Sequence, residues 1–273
     1  MTPPADRPGR FSLSKWYLDL VTIEGRALVV YWGEIAWRRA KLRLESVVDA
    51  LPDRPAVTRS RVTRNAGPRE GEDGCVVFSS PGLGLEARWQ PLAAPIARRL
   101  FAGPHGALNW DCRAPLARVT AALGRGASLS GLGYAERLTL TLAPWELPIE
   151  QLHWGRFGAP SRSVVWIQWS GKSPLTLVFL DGLEIAGAVV RDDGVEMRPA
   201  ARLSLEGGRE IRAGKPVAGL VARLPGLRAA VPRRLRGVEE VKWVSRGTLW
   251  GPGTSCVEGW AIHEIVRFGG QGR

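Results

Sequence analysis

Apolar and polar side chains alternate with a period of two along most of this chain, and Gly, Pro, Asn and Asp cut the alternating runs at short intervals. Successive side chains of a strand point to opposite faces, so this is the pattern of a half-buried sheet rather than of an amphipathic helix. KWYLDLVT, EGR and ALVVYWGEIAW read as two strands and a Gly-containing turn, rich in the β-branched and aromatic residues that pack on a pleated surface. KLRLESVV continues that meander, and DGCVVFSS, PGLG and LEARWQ form a second hairpin whose turn holds Pro and Gly. Further strands are expected at NWDC, PLARVTAAL and GYAERLTLTL. Helical spacing is confined to LAAPIARRLF, interrupted by Pro95, and to the weaker LPIEQLHW. Many strands and few short helices predict an all-β fold, a sandwich or a barrel.

Past Pro160 the pattern begins again with SVVWIQWS, LTLVFL, DGLEIAGAVV and DGVEMR, then ARLSLEG, REIRAG, VAGLVARL, VEEVKWVS and SCVEGWAIHEIVRF. Tyr17–Gly33 laid without gaps over Trp166–Gly182 matches strand, turn and strand. GYAE at Gly133–Glu136 likewise resembles GWAIHE at Gly259–Glu264, each leading from a Gly and an aromatic to a carboxylate. These matches suggest a duplicated unit of roughly 130 to 150 residues, a size suited to one domain. The expected division is 1–159 and 160–273. Under the same overlay Asp19 and Gln168 are equivalent, which favours a structural role for both.

The net charge of +12 raises the question of nucleic acid, since clustered Lys and Arg neutralise phosphates. Here the basic residues are scattered, 33 Arg against 5 Lys, and the densest runs, RPGR and VPRRLRG, fall in expected loops and match no recognition motif. No nucleic-acid partner is expected; peripheral attraction to an anionic membrane surface stays open. Cys75, Cys112 and Cys256 form no CxxC pair, so each is expected to be a small buried hydrophobe. MTPPADRPGRFSLSKW lacks the apolar stretch of a secretory signal, and ALVVYWGEIAW is too short to span a bilayer, which makes the cytoplasm the expected location. The oligomeric state is not readable.

An aromatic-rich β-duplication with Gly-Tyr-x-Glu in a strand and a later Trp-Gly resembles the AttH and carotenoid 1,2-hydratase group, whose relatives include tocopherol cyclases and some pericyclic cyclases. The matching residues are Gly133, Tyr134, Glu136, Trp154 and Gly155. In that group the carboxylate and the Trp-Gly are nearly adjacent, whereas here LTLTLAPWELPIEQLH intervenes. The resemblance implies two packed lipocalin-like (calycin) antiparallel barrels or half-barrels. It also implies a cofactor-independent hydratase, cyclase or isomerase acting on a hydrophobic small molecule of isoprenoid or carotenoid kind.

If Glu136 enters an apolar interior, burial raises its pKa and makes it a general acid able to protonate an alkene or epoxide. Tyr134 and Trp154 would then stabilise the cation. If instead the strand is half exposed, Glu136 faces water beside Arg137 by simple alternation. His263 is a second candidate acid or base, or a hydrogen-bonded structural histidine; alternation puts it and Glu264 on opposite faces, with Trp260 and Ile262 on the side of Glu264. Asp111, between Trp110 and Cys112, is a third candidate acid, a group that orients one, or a turn cap before Pro115. The 12 Trp, Trp110 and Trp260 among them, line a ligand pocket or fill the cores. His105, His153 and His263 have no metal-ligand spacing, no GxSxG elbow occurs, and the Gly-rich stretches fit neither phosphate loop nor dinucleotide turn. Neither metal nor cofactor is expected. The other function class open at this stage is a carrier on the same fold with no catalytic residue.

Overall fold

The computed structural model describes residues 11–37, 40–124, 128–215, 233–251 and 256–268. Alternation becomes two antiparallel sheets. The first holds β1 (Phe11–Val21), β2 (Ala27–Trp37), β3 (Ala40–Ala50), β4 (Val57–Val62), β5 (Arg69–Glu70), β6 (Val76–Ser80), β7 (Leu85–Pro91), β8 (Ile96–Gly103), β9 (Gly106–Leu123) and β10 (Ser128–Leu140). The second holds β11 (Ile149–Ala159), β12 (Arg162–Gly171), β13 (Leu175–Leu180), β14 (Leu183–Glu184), β15 (Val189–Arg191), β16 (Gly194–Met197), β17 (Ala201–Gly214), β18 (Glu239–Trp250) and β19 (Cys256–Arg267). The order across the first sheet is β4-β3-β2-β1-β10-β9-β7-β6-β5, with β8 added to β9; across the second it is β14-β13-β12-β11-β19-β18-β17-β16-β15. The two paths are the same topology, and the fold is an all-β double barrel. Among the described residues no helix is long and apolar enough to cross a membrane.

Several expectations change. LAAPIARRLF is not helical: Pro95 has no N–H to give a helix, and the chain after it pairs with β9 as β8. LPIEQLHW becomes the start of β11, after a single 3₁₀ turn at Pro144–Glu146. NWDC and PLARVTAAL are one strand, β9, because register shifts opposite Gly133–Glu136 absorb Pro115 in a bulge, where a missing donor costs no ladder bond. Arg233–Arg236, expected as loop, forms one helical turn, while Arg7–Arg10 and VAGLVARL lie outside the described residues. Cys75 and Cys112 are buried, but Cys256 is exposed at the start of β19.

The passage between sheets falls at residues 141–148, so β11, which the division at 159/160 leaves in the first half, is a strand of the second sheet. The internal overlay shifts accordingly. Identical topology equates the β1–β2 hairpin with β11–β12, one strand earlier than the sequence match to β12–β13. That match was misled because neighbouring hairpins share one alternation. Position by position, Glu136 faces Tyr17 across the β10–β1 ladder as Glu264 faces Trp154 across β19–β11. Glu136 and Glu264 are therefore equivalents, as are Tyr17 and Trp154, and Asp19 pairs with Arg156 rather than with Gln168.

Central strands have no solvent face. From β1, Trp16, Leu18 and Leu20 enter the first barrel's own core, whereas Tyr17 and Val21 enter a shared core between the sheets. From β11 and β12, Phe157, Ala159, Val164 and Trp166 fill the second barrel, and Trp154, Val165, Ile167 and Trp169 meet the shared core. Most of the buried Trp are thus packing residues. Residues on a pseudo-twofold axis meet their own equivalents. Tyr17 packs edge-on against Trp154 with centroids 4.7 Å apart, and Arg156 grips Asp19 through Nη2–Oδ1 at 2.5 Å and Nε–Oδ2 at 3.1 Å. Arg156 also donates to the Trp260 carbonyl, and Trp89 Nε1 to the Asp19 carbonyl at 2.7 Å.

Glycines set how closely these strands approach. A Cβ on Gly133 would lie 2.0 Å from the Asp19 carbonyl oxygen, and one on Gly155 would lie 2.1 Å from the Trp166 ring. Gly133→Ala is expected to lower stability by about 1–3 kcal/mol through overpacking, read as a reduced urea midpoint; an unchanged midpoint would mean β1 and β10 separate freely.

Candidate functional site

The shared core turns polar where β10 meets β1, β9 and β11. Tyr134 and Glu136 project to it from one face of β10, while Ala135 points back into the first barrel. Glu136 is 8% exposed. Its Oε2 accepts from Trp110 Nε1 at 2.5 Å, from the Tyr134 hydroxyl at 2.6 Å and from Trp154 Nε1 at 3.3 Å. An indole N–H can only donate, so Oε2 is fixed as the acceptor oxygen. When the carboxyl is neutral its proton sits on Oε1. Burial pushes the Glu136 pKa up; the Tyr134 and Trp110 hydrogen bonds and the Lys15 charge pull the other way, and Glu264 adds to the rise. Burial prevails.

The equivalent carboxylate in the other half behaves oppositely. Burial would raise Glu264 as well, but the Lys242 ammonium, bonded directly to it, holds it below the usual range. Lys242 is 1% exposed and stays charged: burial works against the ammonium, while Glu264, Tyr31 and Glu240 outweigh it. Its Nζ lies 4.9 Å from the Tyr17 ring centre and 5.0 Å from that of Trp154, which joins this pair to the Glu136 cluster. Two equivalent carboxyl groups in one seam are thus driven in opposite directions, Glu136 up and Glu264 down, an arrangement in which one group can give a proton and the other take one.

Of the residues singled out from sequence, Glu136, Tyr134, Trp110 and Trp154 come together. Asp111 does not join them, because alternation on β9 sends it to the opposite face, where it lines an open surface depression with Arg98, Arg99 and Asn109. His263 also points away from the seam, sharing a hydrogen bond with Ser245 at 2.9 Å and stacking on Trp243 at 5.3 Å. Trp260 packs on Gly25 and donates to the Ile23 carbonyl, about 13 Å along β19 from Glu264. Sequence reasoning missed Glu264 and Lys242 as site residues, and Tyr17 and Tyr31 with them. The GYAE and GWAIHE likeness was the one signal pointing to Glu264. Among the described residues no group of His, Cys, Asp and Glu could hold a metal ion.

Burial, then the Lys242 charge, lowers the His263 pKa from 6.5 to about 4. The folded state therefore binds fewer protons than the unfolded chain between these values, and stability rises with pH across that window. Acidification from about pH 6.5 to 4 is expected to remove up to about 3 kcal/mol through this residue, and His263→Gln to flatten the slope in pH-dependent urea titrations. An equal slope in the variant would assign the loss elsewhere.

No protein-family profile and no curated protein sequence matches the chain. Solved structures do. A protein assigned as AttH from Nitrosomonas europaea is 12% identical with a TM-score of 0.59, over 96% of this chain and 93% of that one. CghA is 12% identical with a TM-score of 0.56, over 97% and 90%. Kievitone hydratase from Nectria haematococca is 10% identical with a TM-score of 0.54, over 95% and 89%. At such identities the likeness is one of fold, and this chain has the double-barrel lipocalin-type fold of the AttH-like proteins.

Proposed function

We propose that this protein is a cofactor-independent enzyme that hydrates, cyclises or isomerises a hydrophobic, isoprenoid-like small molecule by acid catalysis, with Glu136 as the acid. The observation that carries this reading is a buried carboxyl whose Oε2 is held by three donors, so that Oε1 bears the transferable proton. Protonation of an alkene by Oε1–H uses the π pair to form a C–H bond and leaves a cation on the neighbouring carbon. The charge left on Glu136 falls on Oε2, where the Trp110, Tyr134 and Trp154 donors already point. The aromatic faces of Tyr17, Tyr134 and Trp154 border the cation. In hydration, Glu264 takes a proton from the attacking water; in cyclisation, an internal double bond attacks the cation and the Glu136 carboxylate takes back a proton from the carbon beside the new cationic centre, which forms the product double bond and restores the acid. The shared fold with kievitone hydratase supports the class of reaction.

The test needs no prior substrate. Wild type and Glu136→Gln are incubated with a small-molecule extract of the host cells in isotopically labelled water, and products are followed by mass spectrometry. A compound that gains one labelled water, or changes retention at constant mass, with wild type alone supports the reading. Equal conversion by both proteins excludes the acid role. Compounds retained without conversion by either protein would favour a carrier.

A further inference from the structure

Beside Glu136 the seam holds polar atoms that the acid mechanism leaves unused. The Tyr17 and Tyr31 hydroxyls are buried and meet no partner in good hydrogen-bond geometry, the polar groups beside them being the Asp19 carboxyl for Tyr17 and the Arg212 guanidinium, itself only a donor, for Tyr31; this is an unfavourable state for a donor shielded from water. The two rings touch edge-on at 5.4 Å. Cations surround them: Lys242 by Tyr17, and Lys15 Nζ and the Arg212 guanidinium at 5.3 and 5.1 Å from the Tyr31 ring centre. Arg212 is offset by Glu240 at 3.6 Å and Lys242 by Glu264, whereas Lys15 makes no salt bridge among the described residues. With Glu136 protonated, this end of the seam carries an excess of positive charge next to two idle donors. Lys15, Tyr31 and Arg212 are only partly buried, so they form its solvent side, with Tyr17 and Lys242 behind them.

We propose that Tyr17 and Tyr31, backed by Lys15, Arg212 and Lys242, form an oxyanion subsite, and that the substrate is a hydrophobic molecule bearing an anionic oxygen: a carboxylate, enolate or phenolate. This rests on reading the seam as the substrate site. The anionic oxygen accepts from both hydroxyls and neutralises Lys15, which anchors the molecule with its apolar part toward Glu136 Oε1. The hydroxyls stay unpaired in the free protein because they are reserved for that ligand.

Two probes with one ring system separate charge from shape: 2-naphthoate and 2-naphthamide, titrated calorimetrically into wild type, Tyr31→Phe, Lys15→Met and Glu136→Gln. Wild type is expected to prefer naphthoate by about tenfold or more, the order of one charge-assisted hydrogen bond. Lys15→Met should remove most of that preference while leaving naphthamide binding unchanged, and Tyr31→Phe should weaken naphthoate much more than naphthamide, whose carbonyl accepts from the same hydroxyl more weakly. Tyr31→Phe deletes a hydroxyl that donates to no group in good geometry, so its thermal midpoint should stay close to that of wild type, and weaker binding at an unchanged midpoint cannot be ascribed to unfolding. Glu136→Gln should keep the preference even where it loses turnover, which separates failure of this subsite from failure of the acid role. Equal binding of the two probes, binding of neither, or a preference untouched by Tyr31→Phe and Lys15→Met would overturn the proposal.

Discussion

Glu136→Gln is expected to lower turnover by roughly 10²–10⁴-fold, the usual contribution of a positioned general acid, while leaving the fold intact. The variant should fold because Trp110, Tyr134 and Trp154 all require an acceptor at Oε2, and they select the amide orientation that puts the carbonyl oxygen there. The NH₂ group then replaces Oε1 and has no acidic proton. On the proposed mechanism the active form has Glu136 protonated and Glu264 ionised. Activity therefore falls as pH rises through the raised Glu136 pKa, and falls again as pH drops through the lowered Glu264 pKa. Residual activity of Glu136→Gln should lack the alkaline limb. If that limb persists at the same pH, another group is the acid.

The largest effect on stability is expected at the contact between the halves. Asp19 and Arg156 are 0% and 1% exposed and bind each other through two hydrogen bonds. Burial pushes the Asp19 pKa up and the guanidinium opposes it. Arg156→Met leaves a carboxylate in an apolar seam and should cost about 3–5 kcal/mol in urea denaturation. Asp19→Leu with Arg156→Met removes both charges and should recover most of that loss. A single variant costing under about 1 kcal/mol would show that water reaches Asp19. The same double variant asks whether the ion pair sets the angle between the barrels. If it does, the Tyr17–Trp154 contact shifts and turnover drops even though stability returns.

The succession of strands was legible because alternation is local. Hairpins at Lys15–Trp37 and Val76–Pro91 form where the residues imply, since turn chemistry and side-chain period act over a few positions. Glu136 was legible as a question, a carboxylate between aromatic neighbours, though not as an answer. Its inward direction depends on a second sheet covering a face that, in a single sheet, would be wet. For the same reason nothing in the sequence singled out Lys242, or showed that Glu264 would be buried beside it. A lone charge in a strand normally faces water, and only the β18–β19 ladder, which sets them opposite one another, permits both to be buried. The division at 159/160 and the overlay of β1 on β12 erred by about one strand, because alternation repeats identically in each hairpin and carries no address.

The amino-acid order alone thus determined most of the strands and their turns, the all-β class and the residue most in need of explanation. Tertiary structure decided which face of each central strand met the other barrel, and with it the burial of Glu136 among three donors, the pairing of Glu264 with Lys242 and the burial of the Tyr17 and Tyr31 hydroxyls. The physical reason is range: side-chain period is set by neighbours in the chain, whereas burial and charge pairing are set by residues more than a hundred positions away, as Asp19 and Arg156 are.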